Sequence, residues 1–172
     1  NVKLGIEDAF ITTPTQERLG YVTPNKTPII YMQKVPYTQI NNPDIDILKK
    51  VQNINDLKDF EILDYLGNGW AKKTLVDHNV TWVEDPNQAL NMLANNKGDV
   101  FIENPIIIDF TLEQMGLTGK LERLPVSFDS APFHLFIKKD SPLTTLLDEF
   151  DIILRQLQIK GFIEDVIEKY KF

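Results

Sequence analysis

The chain has 172 residues, of which 42% are apolar and 25% charged, and it carries a formal charge of −7. This is the composition of one ordinary globular domain or two small lobes, and it excludes disordered, collagen-like and coiled-coil architectures. Arg18, Arg123 and Arg155 are the only arginines, and no basic run interleaves with aromatics, so a polyanion-binding surface is not indicated.

Cysteine is absent, which removes thiol catalysis and cysteine–zinc sites. His78 and His134 are the only histidines, and they lack metal-ligand spacing. The apolar runs are shorter than a bilayer-crossing helix requires.

In chain order, Pro14, Pro24, Pro28 and Pro36 punctuate the first forty residues, with a strand expected over Ile29–Val35 between them. Asn41–Asp46 reads as a loop and Asp56–Lys58 as a short turn. Glu61–Leu66 reads as a strand, broken by Gly67-Asn68-Gly69, with a helix over Trp70–Val76. Val80–Glu84 is a second strand. Asp85 before Pro86 is an N-cap followed by proline at the first helical position, which starts a helix over Pro86–Asn96. Gly98 lies just past its end, where a left-handed residue is often needed. Val100–Glu103 is a third strand, and Asn104-Pro105 repeats the cap-and-proline device for a helix over Pro105–Met115. The order β-α-β-α-β-α predicts a parallel sheet.

Phe133–Lys138 is a late strand, with Phe133, Leu135 and Ile137 on one side. Ser141-Pro142 starts a helix whose stripe is Leu143, Leu146, Leu147, Phe150 and Leu154. After Gly161 a last helix carries Phe162, Ile163, Val166, Ile167 and Tyr170. Both stripes are expected to dock on a sheet or on another chain.

Ligands of open parallel sheets bind beyond the carboxyl ends of the strands. Three places qualify: Gly67–Trp70, Glu84-Asp85 and Glu103-Asn104. Backbone N–H groups at Gly67-Asn68-Gly69 suit a carboxylate or phosphate, while the plain alternative is a tight turn with Asn68 as N-cap. The dinucleotide pattern GxGxxG fails at Lys72, and no Walker sequence occurs. Arg18, in Thr12-Thr13-Pro14-Thr15-Gln16-Glu17-Arg18, can clamp a carboxylate with two hydrogen bonds, helped by the hydroxyls of Thr12 and Thr13. The plain alternative has Thr15 capping a short helix and Arg18 pairing with Glu17 or a neighbour. Glu103 and Asn104 can meet an amine or hydroxyl, although Asn104 also fits a pure N-cap role. Phe10 and Trp70 are candidate stacking residues, set against ordinary core packing. His134 reads as a packed histidine, and His78 as a partner of a helix carboxyl terminus. Adjacent carboxylates such as Glu7-Asp8 and Glu84-Asp85 point to opposite strand faces, so no acid–base pair or nucleophilic set can be assembled.

Taken together and in order, these segments resemble the type II periplasmic solute-binding proteins, in particular the amino-acid receptors of ABC transporters. Glu7-Asp8-Ala9-Phe10 and Thr13–Arg18 resemble the family's "D-A … T-x-x-R" passage. Asn55–Lys58 resembles the lead-in to its second lobe, and Tyr65–Gly69 its glycine turn. Asp85–Leu93, Lys97–Val100, Phe136–Pro142 and Gly161–Phe172 resemble its later segments.

The resemblance implies an α/β clamshell of two lobes joined by a hinge. Residues 1–29 and 132–172 would form the first lobe, without its opening strands and helices, and residues 30–131 a complete second lobe with a parallel sheet. It implies a non-enzymatic, extracytoplasmic or periplasmic role: capture of an amino acid or related carboxylate by hinge closure for a membrane ABC permease, with no cofactor and no metal. An incomplete lobe further implies a dimer or exchange with another chain. Arg18 would hold the ligand carboxylate with Thr13 assisting, and Gly67, Asn68 and Gly69 would add backbone groups. Glu103 or Asn104 would stand where the family places an acidic residue for the ligand amine, and Phe10 and Trp70 would form walls. The same resemblance admits two alternatives: the sensor domain of a membrane receptor or kinase, and an enzyme of the same fold.

Overall fold

A computed structural model describes residues 1–169. Its first elements are β1 (Ala9–Thr12), α1 (Gln16–Leu19), β2 (Val22–Pro24), β3 (Ile30–Gln39), α2 (Ile45–Leu48), β4 (Ile62–Tyr65) and α3 (Gly69–Thr74). They are followed by β5 (Val80–Val83), α4 (Pro86–Ala94), β6 (Val100–Glu103), α5 (Pro105–Gln114), β7 (Leu121–Arg123), β8 (Asp129–Lys138), α6 (Leu147–Ile159) and α7 (Phe162–Lys169). The described residues form two compact units: Asn1–Met32 with residues 130–169, and Gln33–Asp129.

In the second unit β4 pairs in parallel with β5 and with β6, as the β-α-β-α-β order predicts. β3 pairs antiparallel with both β6 and β7. The expected strand ending at Val35 continues through Pro36 to Gln39. Pro36 lacks an N–H but still contributes its carbonyl, which accepts from Leu124 N at 2.9 Å.

Alternation along the strands sends side chains to two cores. Leu63 and Phe101 pack with Val83, Leu90 and Leu93 on one face, while Ile62, Val100 and Ile102 pack with Leu57, Ala71 and Leu75 on the other. Because both faces are covered, β6 is buried at every residue, and its sequence is a continuous apolar run ending in Glu103.

Side-chain caps set the helix starts as the sequence indicates. Asn68 Oδ1 accepts from Ala71 N, Asp85 Oδ1 from Gln88 N, and Asn104 Oδ1 from Ile106 N. At the end of α4 the left-handed position falls to Asn96 (φ 54°) as well as Gly98 (φ 113°). His78 does not meet a helix end with its ring. Its Nε2 lies 2.9 Å from the Ile54 carbonyl, in the turn before β4.

In the first unit β8 is flanked by β1 and β2, both antiparallel. Its small core is Val2, Val22 and Phe136, with Phe10, Leu19 and Tyr21 against it. The deepest strand residue is thus Phe136, on the face opposite to Phe133 and Leu135. His134 packs edge-on to Phe136, with its Nδ1 3.0 Å from the Asn25 carbonyl.

The predicted Leu143–Leu154 stripe is only partly buried. Ser141 caps a 3-10 turn over Pro142–Leu146, so the regular helix begins at Leu147. The change of pitch takes Leu143 and Leu146 off the buried face, which is Leu147, Asp151 and Leu154. In α7 Phe162 and Val166 are exposed. Tyr170 and the end of the Gly161–Phe172 segment lie outside the described residues. No described helix is long and apolar enough to cross a membrane.

Candidate functional site

The sequence-selected residues form two groups, one in each unit. In the first unit, Thr15 Oγ1 accepts from Arg18 N at 3.2 Å and starts α1. This cap fixes the short helix, and the Arg18 side chain folds back toward the loop before it. Arg18 Nη1 donates to the Thr13 carbonyl at 2.9 Å and lies 3.5 Å from Thr13 Oγ1. Glu17, the alternative partner, is taken by Lys3 at 3.0 Å.

The Arg18 guanidinium is half-buried and has no ion-pair partner among the described residues. It lines a cavity of about 310 Å³ with Lys3, Glu7, Phe10, Thr12 and Tyr21. Phe10 is stacked on Phe136, with ring centroids 5.4 Å apart and planes 16° from parallel, which holds its ring as a fixed wall. Arg18, Thr13 and Phe10 are therefore brought together. A guanidinium already steered by a neutral carbonyl keeps a full positive charge and further N–H donors for an anion.

In the second unit, Gly67, Asn68 and Gly69 form the turn between β4 and α3. Neither Gly67 nor Gly69 has a positive φ, and a methyl on Gly69 would meet nothing within 4 Å. The turn is open rather than conformationally forced. Asn68 is buried. Its Nδ2 donates to Asp64 Oδ1 at 2.9 Å while its Oδ1 caps α3.

Asp64 was not legible as part of a site. It is a buried carboxylate near the end of β4, and its Oδ2 has no hydrogen-bond partner among the described residues. Burial pushes its pKa up to about 6, against hydrogen bonds from Tyr65 N and Asn68 that pull it down.

Glu103, at the end of β6, is ion-paired with Lys34, accepts from Asn104 N at 2.8 Å and accepts from the Tyr65 hydroxyl at 3.1 Å. Burial, and then the neighbouring Glu103 charge, raise the Tyr65 pKa above its ordinary value. Lys34 Nζ also sits 5.5 Å from the Trp70 ring centroid, and Trp70 Nε1 donates to Asp129 Oδ2 at 2.8 Å. Asn104 Nδ2 donates to the Gln33 carbonyl at 3.3 Å. Lys34 thus links the sequence-selected Glu103 and Trp70. The signal for it was that Lys34 is the one charged residue in β3. No His, Cys, Asp and Glu cluster among the described residues is arranged to hold a metal ion.

No family model matches the sequence, and no curated protein matches it closely. Solved structures do match the fold. An amino acid ABC transporter substrate-binding protein, AbpA from Streptococcus pneumoniae bound to L-arginine, aligns at a TM-score of 0.72 and 19% identity, covering 98% of this chain and 70% of its own. The GluR0 ligand-binding core in complex with L-glutamate aligns at 0.74 and 17% identity, covering 99% and 75%. This chain has the type II periplasmic-binding-protein fold. A histidine kinase sensor domain with similarity to periplasmic binding proteins also shares the fold, at 0.71 and 16% identity, covering 98% and 72%. Fold and site are separate matters at such identities, and the fold by itself fixes no ligand.

Proposed function

We propose that this chain is a non-catalytic, extracytoplasmic solute-binding domain that captures a small carboxylate of the amino-acid class for ABC-type uptake. In this reading the two units are the two lobes, and hinge closure secures the ligand. The observation that carries it is Arg18: a half-buried guanidinium, steered by Thr13, unpaired among the described residues and facing a cavity of about 310 Å³. Such a group pairs a planar carboxylate through two parallel hydrogen bonds. Amino-acid-binding proteins among the structural neighbours support the same class. The test is a calorimetric and thermal-shift screen against amino acids, other carboxylates and sugars. Binding raises the melting midpoint by mass action. Arg18→Ala is expected to abolish the response while leaving the fold intact, and unchanged affinity in that variant refutes the clamp.

A ligand-sensing role in a membrane receptor is the second reading, favoured by the histidine kinase sensor domain that shares the fold. Ligand-stimulated ATP hydrolysis by a cognate permease–ATPase assembly supports uptake. Ligand-dependent kinase activity in a downstream domain supports sensing.

A further inference from the structure

The triplet Asn-x-Thr occurs twice, at Asn25-Lys26-Thr27 and at Asn79-Val80-Thr81. It is the acceptor sequence for asparagine-linked sugar in exported proteins, and it needs an asparagine amide that can stand at the surface. The fold treats the two triplets differently. Asn25 is buried, and its Nδ2 donates to Asp151 Oδ1 at 2.9 Å and to the Thr27 carbonyl. A glycan there would break the contact that ties its loop to α6, so that triplet is structural.

Asn79 is exposed, in the turn between α3 and β5. Its carbonyl accepts from Ile62 N at 2.9 Å, which anchors the backbone, while its side-chain amide makes no hydrogen bond among the described residues. Asp77, two residues earlier, is exposed and has no ion-pair partner among the described residues. Asp77–Thr81 therefore reads D-x-N-x-T, the extended acceptor sequence that bacterial oligosaccharyltransferases select through its acid. At the same spacing before Asn25 stands the neutral Thr23. β5 pairs with β4 on one side and with no strand on the other among the described residues, and Val76 and Trp82 are exposed beside it. A hydrophilic glycan at the start of β5 would project into solvent and screen this edge from pairing with another chain.

We propose that Asn79 is an N-glycosylation site, which receives an oligosaccharide from a lipid-linked diphosphate donor. Asn79 Nδ2 forms a bond to the anomeric carbon of the first sugar, and the bond from that carbon to the diphosphate oxygen breaks. Polyprenyl diphosphate leaves, and one amide proton passes to solvent. Thr81 is held in the folded chain: its Oγ1 donates to Glu61 Oε1 at 2.6 Å, and it lies opposite Leu63 in the β4–β5 pair. The transferase therefore reads the threonine before β5 closes on β4, as the chain emerges. This inference rests on the extracytoplasmic reading, because the transferase acts on the far side of the membrane from the cytoplasm.

The experiment exports the full chain from bacterial cells that carry an oligosaccharyltransferase and its lipid-linked oligosaccharide, and reads tryptic peptides by mass spectrometry. Trypsin separates the two triplets, into residues 19–26 and residues 74–97. The 74–97 peptide is expected to gain the mass of the oligosaccharide and the 19–26 peptide to gain nothing. The gain should be lost in Asn79→Gln, Asp77→Ala and Thr81→Ala and kept in Thr81→Ser. Asp77 and Asn79 are exposed, so the melting midpoints of their variants should match that of the unmodified wild type, which separates lost transfer from lost folding. The same enzyme in vitro should leave the folded, unmodified chain unchanged, and equal occupancy there would refute the need for an open β5. Fractionation of the native cells tests the extracytoplasmic reading by itself: a chain confined to the cytoplasm removes that reading and this inference with it. An exported chain with no sugar on the 74–97 peptide, with sugar on the 19–26 peptide instead, or with a gain that survives Asp77→Ala overturns the Asn79 assignment alone.

Discussion

Asn25 Nδ2 donates to Asp151 Oδ1 at 2.9 Å, joining the loop after β2 to the buried face of α6. The same carboxylate accepts from Lys26 N and Thr27 N, each at 2.8 Å, and Asn25 Oδ1 in turn accepts from Leu135 N of β8. One buried acid thereby organises a loop, a helix and a strand of a unit whose apolar core is small.

Replacing Asp151 with alanine should cost about 3 kcal/mol, because three donors lose a charged acceptor in a buried place. Burial pushes the Asp151 pKa up, but hydrogen bonds from Lys26 N, Thr27 N and Asn25 outweigh it and hold the group below its ordinary 3.8. The unfolded chain therefore takes the proton first as pH falls. Asp151 contributes its stability above the ordinary carboxylate value and loses it as pH drops through the lower folded value. Urea midpoints measured from neutral to strongly acidic pH should show this loss in wild type and a shallower slope in Asp151→Ala.

Asp64 has the opposite sign. Its folded pKa of about 6 lies above the ordinary 3.8, because burial disfavours the charge. The folded state holds the proton longer, so wild-type stability is full below the ordinary value and falls as pH rises through about 6. The charge costs on the order of 3 kcal/mol at neutral pH, at about 1.4 kcal/mol per pKa unit. Asp64→Asn should keep an acceptor for Tyr65 N and raise the denaturation midpoint at pH near 8, with little or no gain near pH 4. A gain of equal size at both values would locate the effect in packing instead.

Gly98 has φ 113°, and a Cβ built there would lie 2.6 Å from the buried Leu63 side chain. Gly98→Ala combines backbone strain with overpacking and should destabilise the second unit by about 2 to 3 kcal/mol. Gly69→Ala, where a methyl meets nothing within 4 Å, is the control and should change stability little. Equal melting midpoints for the two variants would contradict this account.

The parts of the fold readable in the sequence were those set by local chemistry. Asn68, Asp85 and Asn104 before their helices, and the apolar strands Ile62–Tyr65 and Val100–Glu103, are governed by caps and burial within a few residues. The parts missed depend on partners far along the chain. The Asp64–Asn68 contact is local, yet the burial that makes it unusual comes from elements packed on both sides of the sheet. Lys34 meets Glu103 across 69 positions, and Asn25 meets Asp151 across 126. The misjudged α6 stripe has a local cause, the 3-10 turn at Pro142–Leu146, which shifts helical phase without changing the apolar spacing that was counted. For the site, residue type alone left Arg18 and Phe10 with plain structural alternatives, and it was the family resemblance that put them forward.

Lys34 and Glu103 test how far that second-unit cluster is held by charge. Both side chains are largely buried, and Glu103 also accepts from Asn104 N and the Tyr65 hydroxyl. Removing the cation alone leaves a buried carboxylate without its counter-charge, so Lys34→Met should cost about 3 kcal/mol. Neutralising the acid as well, in Lys34→Met with Glu103→Gln, should recover most of the loss, since the amide oxygen can accept from Asn104 N while its NH2 donates to the Tyr65 hydroxyl, and no buried charge is left uncompensated. The Lys34 ammonium lies near the Trp70 ring, so tryptophan emission should shift in both variants, giving a spectroscopic readout independent of stability. Losses that simply add in the double variant would show that the two charges are not coupled.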